Sequence, residues 1–394
     1  MHNRTILISG SGIAGPTLAY WLRRRGFTPI IVERAGAPRT GGYMIDFWGV
    51  GYDVAERMGL LPALNADGYR LEAVRLVDAT GNRIAHMDAK VFQSASNGRF
   101  LSILRGDLAH RIYELIDSDV ETIFADSITA LDEDASGITV TFEHAPPRRV
   151  DLVIGADGLH STVRALAFGD ESRFQHALGY STAAFIANDY PHRDAGAYVS
   201  YTVPGRQVAR YALRDGRSAF FFFFAEQEPL AIAAHDETAQ RAALRQRFRG
   251  AGWECDEILD ALERTDDLYF DTVAQIRMPY WSRGRIALVG DAAYCPSLLA
   301  GQGSAFAMAG AYVLAHALAE EGDDHVVAFG EYQRRFKPFL DAKQRAATRL
   351  GWWFAPQSAL SLRLRNMVTN LMRMPILAER VAARSFGDRF ELPA

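Results

Sequence analysis

Cysteine is scarce in this chain. Its two copies, Cys255 and Cys295, stand far apart and form no C-x-x-C, which argues against a disulfide framework, a zinc site and a dithiol redox centre alike. A basic surplus is missing too: 43 lysines and arginines against 47 acids leave a net charge of −4, with no electrostatic footprint for nucleic acid. No apolar run is long enough to span a bilayer, and the first strand follows Met1 so closely that no room remains for a signal peptide. The expectation is a soluble, cytoplasmic protein without stable membrane association. What is abundant is apolar material, 49% of 394 residues, enough for a large core and two domains in one continuous body.

The richest signal lies at the start. An apolar run at 6–8 leads without a break into Gly10-Ser11-Gly12-Ile13-Ala14-Gly15. A helix is expected over 16–25, with Leu18, Ala19 and Leu22 on one face and Arg23, Arg24 and Arg25 near its end, where cations suit the helix dipole. Gly26 stops it, and a second apolar run at 29–32 delivers Glu33 and then Arg34. Strand, glycine turn, helix, strand and acid in that order form a dinucleotide site. Gly10 permits the turn, Gly12 lets backbone approach a pyrophosphate, Gly15 lets helix pack on strand, and Glu33 can accept from ribose hydroxyls. The motif does not choose between FAD and NAD, though the acid argues against a 2′-phosphate here.

Beyond Glu33 runs a polar loop rich in glycine and proline, residues 34–42, then an expected strand at 43–47 and a helix at 50–58. Runs at 74–78 and 83–87 flank Ala79-Thr80-Gly81-Asn82, a hairpin signal foreign to a parallel nucleotide fold, so a sheet-rich domain begins to be inserted here. Residues 101–116 are expected to be helical, with Asp107 as N-cap, and strands are expected at 138–142 and 150–154. That last strand ends in Gly155-Ala156-Asp157-Gly158, with a helix beginning near Ser161. Asp157 therefore stands at the carboxyl end of a strand, where open α/β sheets bind ligands, or merely turns the chain. From 182 to 225 strand runs alternate with Pro204-Gly205 and Asp215-Gly216 turns, an antiparallel meander. Within it five consecutive phenylalanines, 220–224, place rings on both faces of one strand, either as core or as the wall of an apolar pocket. A helix capped by Asp236 is expected over 236–249.

A third glycine-and-acid unit closes the series. Strand residues 286–289 run into Gly290-Asp291, followed by Gly301-Gln302-Gly303 and a small-residue helix at 304–318, whose N-terminus suits an anionic ring or phosphate. Three such units in order imply one extended dinucleotide lying across the sheet.

On these motifs the chain resembles, over roughly residues 3–345, the FAD-dependent aromatic hydroxylases, single-component flavoprotein monooxygenases with the p-hydroxybenzoate hydroxylase fold, a family that includes tetracycline-inactivating and polyketide-tailoring enzymes. The resemblance implies an α/β fold: a Rossmann-like FAD-binding domain with an inserted antiparallel-sheet substrate domain and C-terminal helices. The corresponding boundaries are 1–73, 97–175 and 268–345 for the FAD domain, 74–96 and 176–267 for the substrate sheet, and 346–394 for the helical tail. It further implies that Gly10, Gly12, Ile13, Ala14, Gly15, Glu33 and Arg34 serve the ADP half of non-covalently bound FAD. Arg105 would contact the cofactor, Asp157 would serve FAD or the nicotinamide, Gly290 and Asp291 would hold the ribityl chain, and Gly301, Gln302 and Gly303 would lie against the ring.

The implied reaction uses NADH or NADPH as a transient co-substrate, for which no second G-x-G-x-x-G exists, and O2. It hydroxylates a bulky aromatic or polycyclic molecule through a C4a-hydroperoxyflavin, with the helix after Gly303 stabilising negative charge on the reduced ring. Epoxidation, Baeyer–Villiger oxidation or non-redox catalysis on the same fold is a second reading, and a non-catalytic FAD-binding protein a third. A flavin halogenase is disfavoured, since W-x-W-x-I-P is absent. The chain departs from many family members at Tyr294, where they carry histidine, and at Ser297-Leu298, where they carry prolines beside Pro296. No catalytic base is nameable. His160 reads as a solvated loop residue, Asp46 as flavin-proximal or an ordinary strand-end acid, and Cys295 as a small buried residue. Residues 352–384 are expected to form helices that bridge the domains rather than bind a membrane, with Trp352, Trp353 and Phe354 near the substrate entrance. Monomer and homodimer both remain open, and no metal is expected.

Overall fold

The computed structural model describes residues 5–38, 42–226, 232–233, 236–322, 324–372 and 390–394. Arg39, Thr40 and Gly41 of the polar loop, and residues 373–384 of the expected C-terminal helices with Pro375, lie outside the described residues.

Ile6, Leu7 and Ile8 are wholly buried in strand Thr5–Ser9, as a strand covered on both faces requires. It pairs in parallel with Thr28–Glu33 on one side and Leu152–Gly155 on the other. Ile286–Leu288 continues the sheet in parallel beside Leu152–Gly155, and Glu121–Phe124 adds a parallel edge beyond Thr28–Glu33. The strands leading into the three glycine-and-acid units are thus three parallel neighbours in one six-stranded sheet. Because they run the same way, Gly10, Ala156-Asp157 and Gly290 all emerge at its carboxyl edge. That is why units far apart in sequence meet.

Helix Ala14–Arg24 buries Leu18, Ala19, Trp21 and Leu22 and carries Arg23 and Arg24 in its last turn. Behind it runs helix Gly303–Glu320, buried without interruption from Ala305 to Leu318, the pattern of a helix enclosed on all sides. Its small residues allow close approach: a Cβ on Gly51, in helix Val50–Arg57, would fall 2.3 Å from Ala305 Cα.

The second sheet has seven strands. In spatial order they are Leu268–Ile276, Gln175–Ala187, Ser218–Ala225, Arg206–Ala212, Ala197–Val203, Ala73–Val77 and Arg83–Asp88. The expected hairpin is present, and all pairings are antiparallel except Ala197–Val203 with Ala73–Val77. Leu268–Ile276 belongs to this sheet although it lies past residue 268. The phenylalanine strand divides its rings by parity. Phe220, Phe222 and Phe224 pack with Leu244, Phe248, Ile258 and Leu262 under helices Glu237–Phe248 and Cys255–Leu262. On the opposite face Phe223 lies 4.9 Å from Tyr180 and 5.4 Å from Phe354, centroid to centroid. Each fully buried ring of this kind contributes about 3–5 kcal/mol relative to alanine.

Three expectations need correction. Residues 101–104 are not helical: Phe100–Leu104 is a strand antiparallel to Met44–Trp48, and the helix is Arg105–Tyr113. A short run buried at every position, with Ser102 its one polar residue, carries no periodicity to separate the two. Asp107 consequently sits inside the first turn and is not the N-cap, which is Leu104. Finally, 150–154 is broken at Asp151, whose carboxylate accepts from the Thr5 N–H at 2.8 Å. Arg148–Val150 joins a three-stranded antiparallel sheet, and Leu152–Gly155 the parallel one.

Candidate active site

The glycines of the first unit separate by what surrounds them. Gly10 has φ +107°, and a Cβ there would meet Ala156 O at 2.6 Å; on Gly15 it would meet Gly10 O at 2.0 Å. Those two are glycine because backbone leaves no space. At Gly12 the nearest atom to such a Cβ is Arg105 Nη2 at 3.9 Å, so this residue faces open volume. Gly303 is similar, with Asp291 Oδ1 at 3.9 Å. Gly290, φ +68°, instead lies against Ala14, whose Cβ would be 3.0 Å from a side chain there, interlocking the third unit with the first.

The open volume is a cavity of about 450 Å³ between the two sheets. Gly12, Ile13, Ala14, Arg105, Gly158, Asp291, Gly301 and Gly303 line its nucleotide half. Two helices begin here, Ala14–Arg24 and Gly303–Glu320, and neither has a side-chain cap or an acid in its first turn. Their free N–H groups and positive dipole ends are left for an anion. The buried Ser11 Oγ has no hydrogen-bond partner. An uncapped pair of helix starts, an open glycine and an orphaned hydroxyl fit a long, doubly anionic dinucleotide.

The remaining site candidates fall in different places. Glu33 ends its strand with Oε2 accepting from the Ser11 N–H at 2.7 Å and Oε1 from the Ala35 N–H at 2.8 Å. It thereby fastens the glycine turn while keeping lone pairs for a ribose. Arg34 is exposed and does not line the cavity. Asp291 does: burial raises its carboxyl pKa, which the nearby Arg105 partly offsets. Gln302 is buried and forms the N-cap residue of Gly303–Glu320. Asp157 points elsewhere, accepting from Ser161 Oγ at 2.5 Å and the Val163 N–H at 3.0 Å, so it ties down helix Thr162–Phe168. Of that motif Ala156 and Gly158, not Asp157, reach the cavity wall.

The other half of the chamber is built by the seven-stranded sheet and the C-terminal helices. Leu76, Tyr198, Tyr211 and Phe221 line it from the sheet, Met44 and Asp46 from the short strand, and Trp353, Phe354 and Arg365 from the tail. Trp352, by contrast, is 45% exposed. Asp46 accepts from Ser102 Oγ at 2.6 Å, and burial nevertheless raises its pKa.

Several site residues carried no clear sequence signal. Asp271 and Tyr269 line the cavity from an edge strand, where alternation alone does not mark function. His160 bridges Asp271 at 3.4 Å and Glu171 at 2.9 Å; these carboxylates raise its pKa to about 10, so it is a charged clasp between the parallel sheet's second unit and the substrate sheet. Glu171 also pairs, at 2.5 Å, with the fully buried Arg164, which donates to Ala292 O of the third unit at 3.0 Å. Tyr294 leaves the site altogether, packing against Trp281 and Phe336 in the core. The Pro296 carbonyl accepts from Gln275 Nε2 at 3.0 Å, and Ser297 beside it holds φ +77°, a strained value for a side-chain-bearing residue.

Comparison with known proteins agrees with this geometry. A family model described as FAD binding domain matches residues 3–328. An uncharacterised protein of Mycobacterium tuberculosis (strain ATCC 25618 / H37Rv) is 40% identical over 345 residues, covering 86% of this chain and 92% of the relative. A flavin-dependent monooxygenase from an unknown prokaryotic organism is 37% identical over 349 residues, covering 87% and 88%. Among solved structures, the tetracycline destructase Tet(51) superposes with a TM-score of 0.85 at 32% identity, covering 99% of each chain.

Proposed function

This chain belongs to the FAD-dependent aromatic hydroxylases, oxidoreductases of the flavin monooxygenase type, and on that premise we propose that it uses NADH or NADPH and O2 to hydroxylate a bulky aromatic or polycyclic small molecule. The observation that carries this reading is one cavity lined on one side by the glycine turns and helix starts of the nucleotide half and on the other by aromatic and apolar side chains.

In this reading Gly12, Ile13, Ala14 and the start of helix Ala14–Arg24 hold the pyrophosphate, Glu33 the adenosine ribose and Asp291 the ribityl chain. Arg105 offsets the cofactor's charge, and Gly301, Gln302 and Gly303 back the ring. Bound FAD supplies hydride acceptance from the nicotinamide and activation of oxygen. The chain's own contribution is placement and exclusion of water. The N-terminus of Gly303–Glu320 stabilises negative charge developing beside it. Phe221, Phe354 and Leu76 form a dry wall for flat rings. Asp46, held by Ser102, is positioned to accept a proton from a substrate hydroxyl. His160 clasps the two sheets around this chamber. The division into FAD domain, substrate sheet and helical tail follows the boundaries given above, with the sheet extended to Ile276.

The relatives' names make a tetracycline a suitable first probe. Purified yellow protein is assayed for NADH and NADPH oxidation with and without tetracycline, under isotopically labelled O2. Stimulated oxidation with one labelled oxygen atom in the product supports the proposal. Insertion next to a carbonyl would favour the Baeyer–Villiger alternative, for which the departure at Ser297-Leu298 leaves room. Conversion of the probe without NAD(P)H overturns the reading.

A further inference from the structure

In helix Ala359–Leu371 the two buried positions are polar: Arg365 and Thr369 are buried, Leu362 and Val368 are half-buried, and Leu360, Leu364, Met367 and Leu371 are exposed. The helix packs on strands Arg83–Asp88 and Ala197–Val203 of the seven-stranded sheet, and Asn370 Nδ2 donates to Ile84 O at 3.1 Å. The face it turns inward, one turn apart at positions 365 and 369, lines the substrate half of the cavity. A helix buries an arginine at small cost only where its charged head has something to meet.

Arg365 is 2% exposed, and its partners are neutral: Nη1 donates to Trp353 O at 3.3 Å and Nε to Asn366 Oδ1 at 3.0 Å. A guanidinium has five N–H donors. No carboxylate among the described residues forms an ion pair with it. The two other fully buried arginines show the ordinary solution. Arg210 pairs with Asp194 at 2.7 Å and Glu254 at 3.1 Å, and Arg164 pairs with Glu171 at 2.5 Å. A buried cation without a counter-ion is strongly disfavoured. Burial pulls its pKa down to about 10, so it remains a cation at neutral pH. Tyr198 lines the same cavity, and burial raises its pKa, so it is a neutral phenol at neutral pH and supplies no counter-charge.

We propose that Arg365 is a specificity-determining residue that pairs with an anionic oxygen of the substrate, a carboxylate or ionised enol carried on the ring system. This rests on reading the cavity as the substrate chamber, and it narrows the substrate class from any bulky aromatic to an acidic one. The negative charge that the protein does not provide comes in with the ligand. Binding is then strongest when the apolar wall takes the rings and Arg365 takes the acid.

The test uses the flavin-loaded enzyme and two matched pairs: naphthoate with its methyl ester, and anthracene carboxylate with its methyl ester. Binding is followed by perturbation of the flavin's visible spectrum. In wild type each acid should bind at least about tenfold more tightly than its ester, as a charged hydrogen-bonded pair in a dry site implies. Arg365→Gln should weaken the acids by that factor and leave the esters unchanged, with flavin content and melting temperature close to wild type; Arg365→Lys should keep part of the preference. If neither acid is preferred by wild type, or if Arg365→Gln retains the preference, the assignment is wrong. If the glutamine variant does not fold, Arg365→Lys carries the test: the acids should weaken relative to the esters, and an unchanged preference would assign the acid to another cation of the cavity such as Arg105. A protein that holds FAD and oxidises NAD(P)H yet shows no acid preference overturns this inference alone, whereas one that holds no flavin overturns both.

Discussion

Alanine at Gly12 and alanine at Gly15 should fail in opposite ways, although both glycines belong to one motif. At Gly15 the new methyl would lie 2.0 Å from Gly10 O, an overlap with backbone that side-chain motion cannot relieve, so we expect at least about 1–3 kcal/mol of destabilisation from forced overpacking. At Gly12 the backbone is not left-handed, and the nearest atom is a flexible arginine terminus at 3.9 Å. The methyl fits, and the narrowed unfolded ensemble should leave the flavin-free protein unchanged or more stable by about 0.4–1 kcal/mol. It occupies the approach taken by the pyrophosphate, so FAD affinity should fall about 10- to 100-fold, or about 1.4–2.7 kcal/mol. With FAD at about 100 times its wild-type Kd, the ligand stabilises wild type by about 2.7 kcal/mol; after a 100-fold loss the gain shrinks to about 0.4 kcal/mol. Thermal melts with and without FAD, together with flavin retained through gel filtration, measure both quantities. If Gly12→Ala is as destabilised without FAD as Gly15→Ala, or purifies fully loaded, the reading of Gly12 as the open face of the cradle is wrong.

Asp291→Ala should lower flavin affinity by about tenfold or more, the usual range for a hydrogen bond to a charged group, and fluorescence titration of the stripped protein with FAD would measure it; full retention would misplace this acid. Gly310→Ala should destabilise the fold because its Cβ would lie 1.8 Å from Tyr294 Oη; adding Tyr294→Phe should restore part of the loss, read as a coupling in a double-mutant cycle. His160 has a folded-state pKa of about 10, above the ordinary value of about 6.5. Its contribution to stability is therefore complete below about pH 6.5 and disappears as pH rises towards 10. His160→Gln should flatten that part of the stability–pH curve, and an unchanged curve would mean that the clasp between Asp271 and Glu171 does not act in solution.

The nucleotide half was legible in the chain because its determinants are local. A turn that needs glycine, a helix start left uncapped and an acid at a strand end are written within a few residues of one another, and the parallel strand runs beside them are short and wholly apolar. Where local pattern was ambiguous it misled: the run at 100–104 has no period, and a single aspartate at 151 divides two sheets. The sequence alone determined that three strand–turn units exist, in what order, and that the chain holds a dinucleotide. Which polar groups face that dinucleotide follows from packing between distant segments. Asp157 turns to its own helix, Tyr294 withdraws into an aromatic core, Asp271 reaches the chamber from an edge strand, and Arg365 points inward from a helix that leaves Leu360 and Leu364 exposed. Those outcomes depend on contacts between residues distant in sequence, where burial, the search for hydrogen-bond partners and the absence of a counter-ion compete, and no local pattern records which of them prevails.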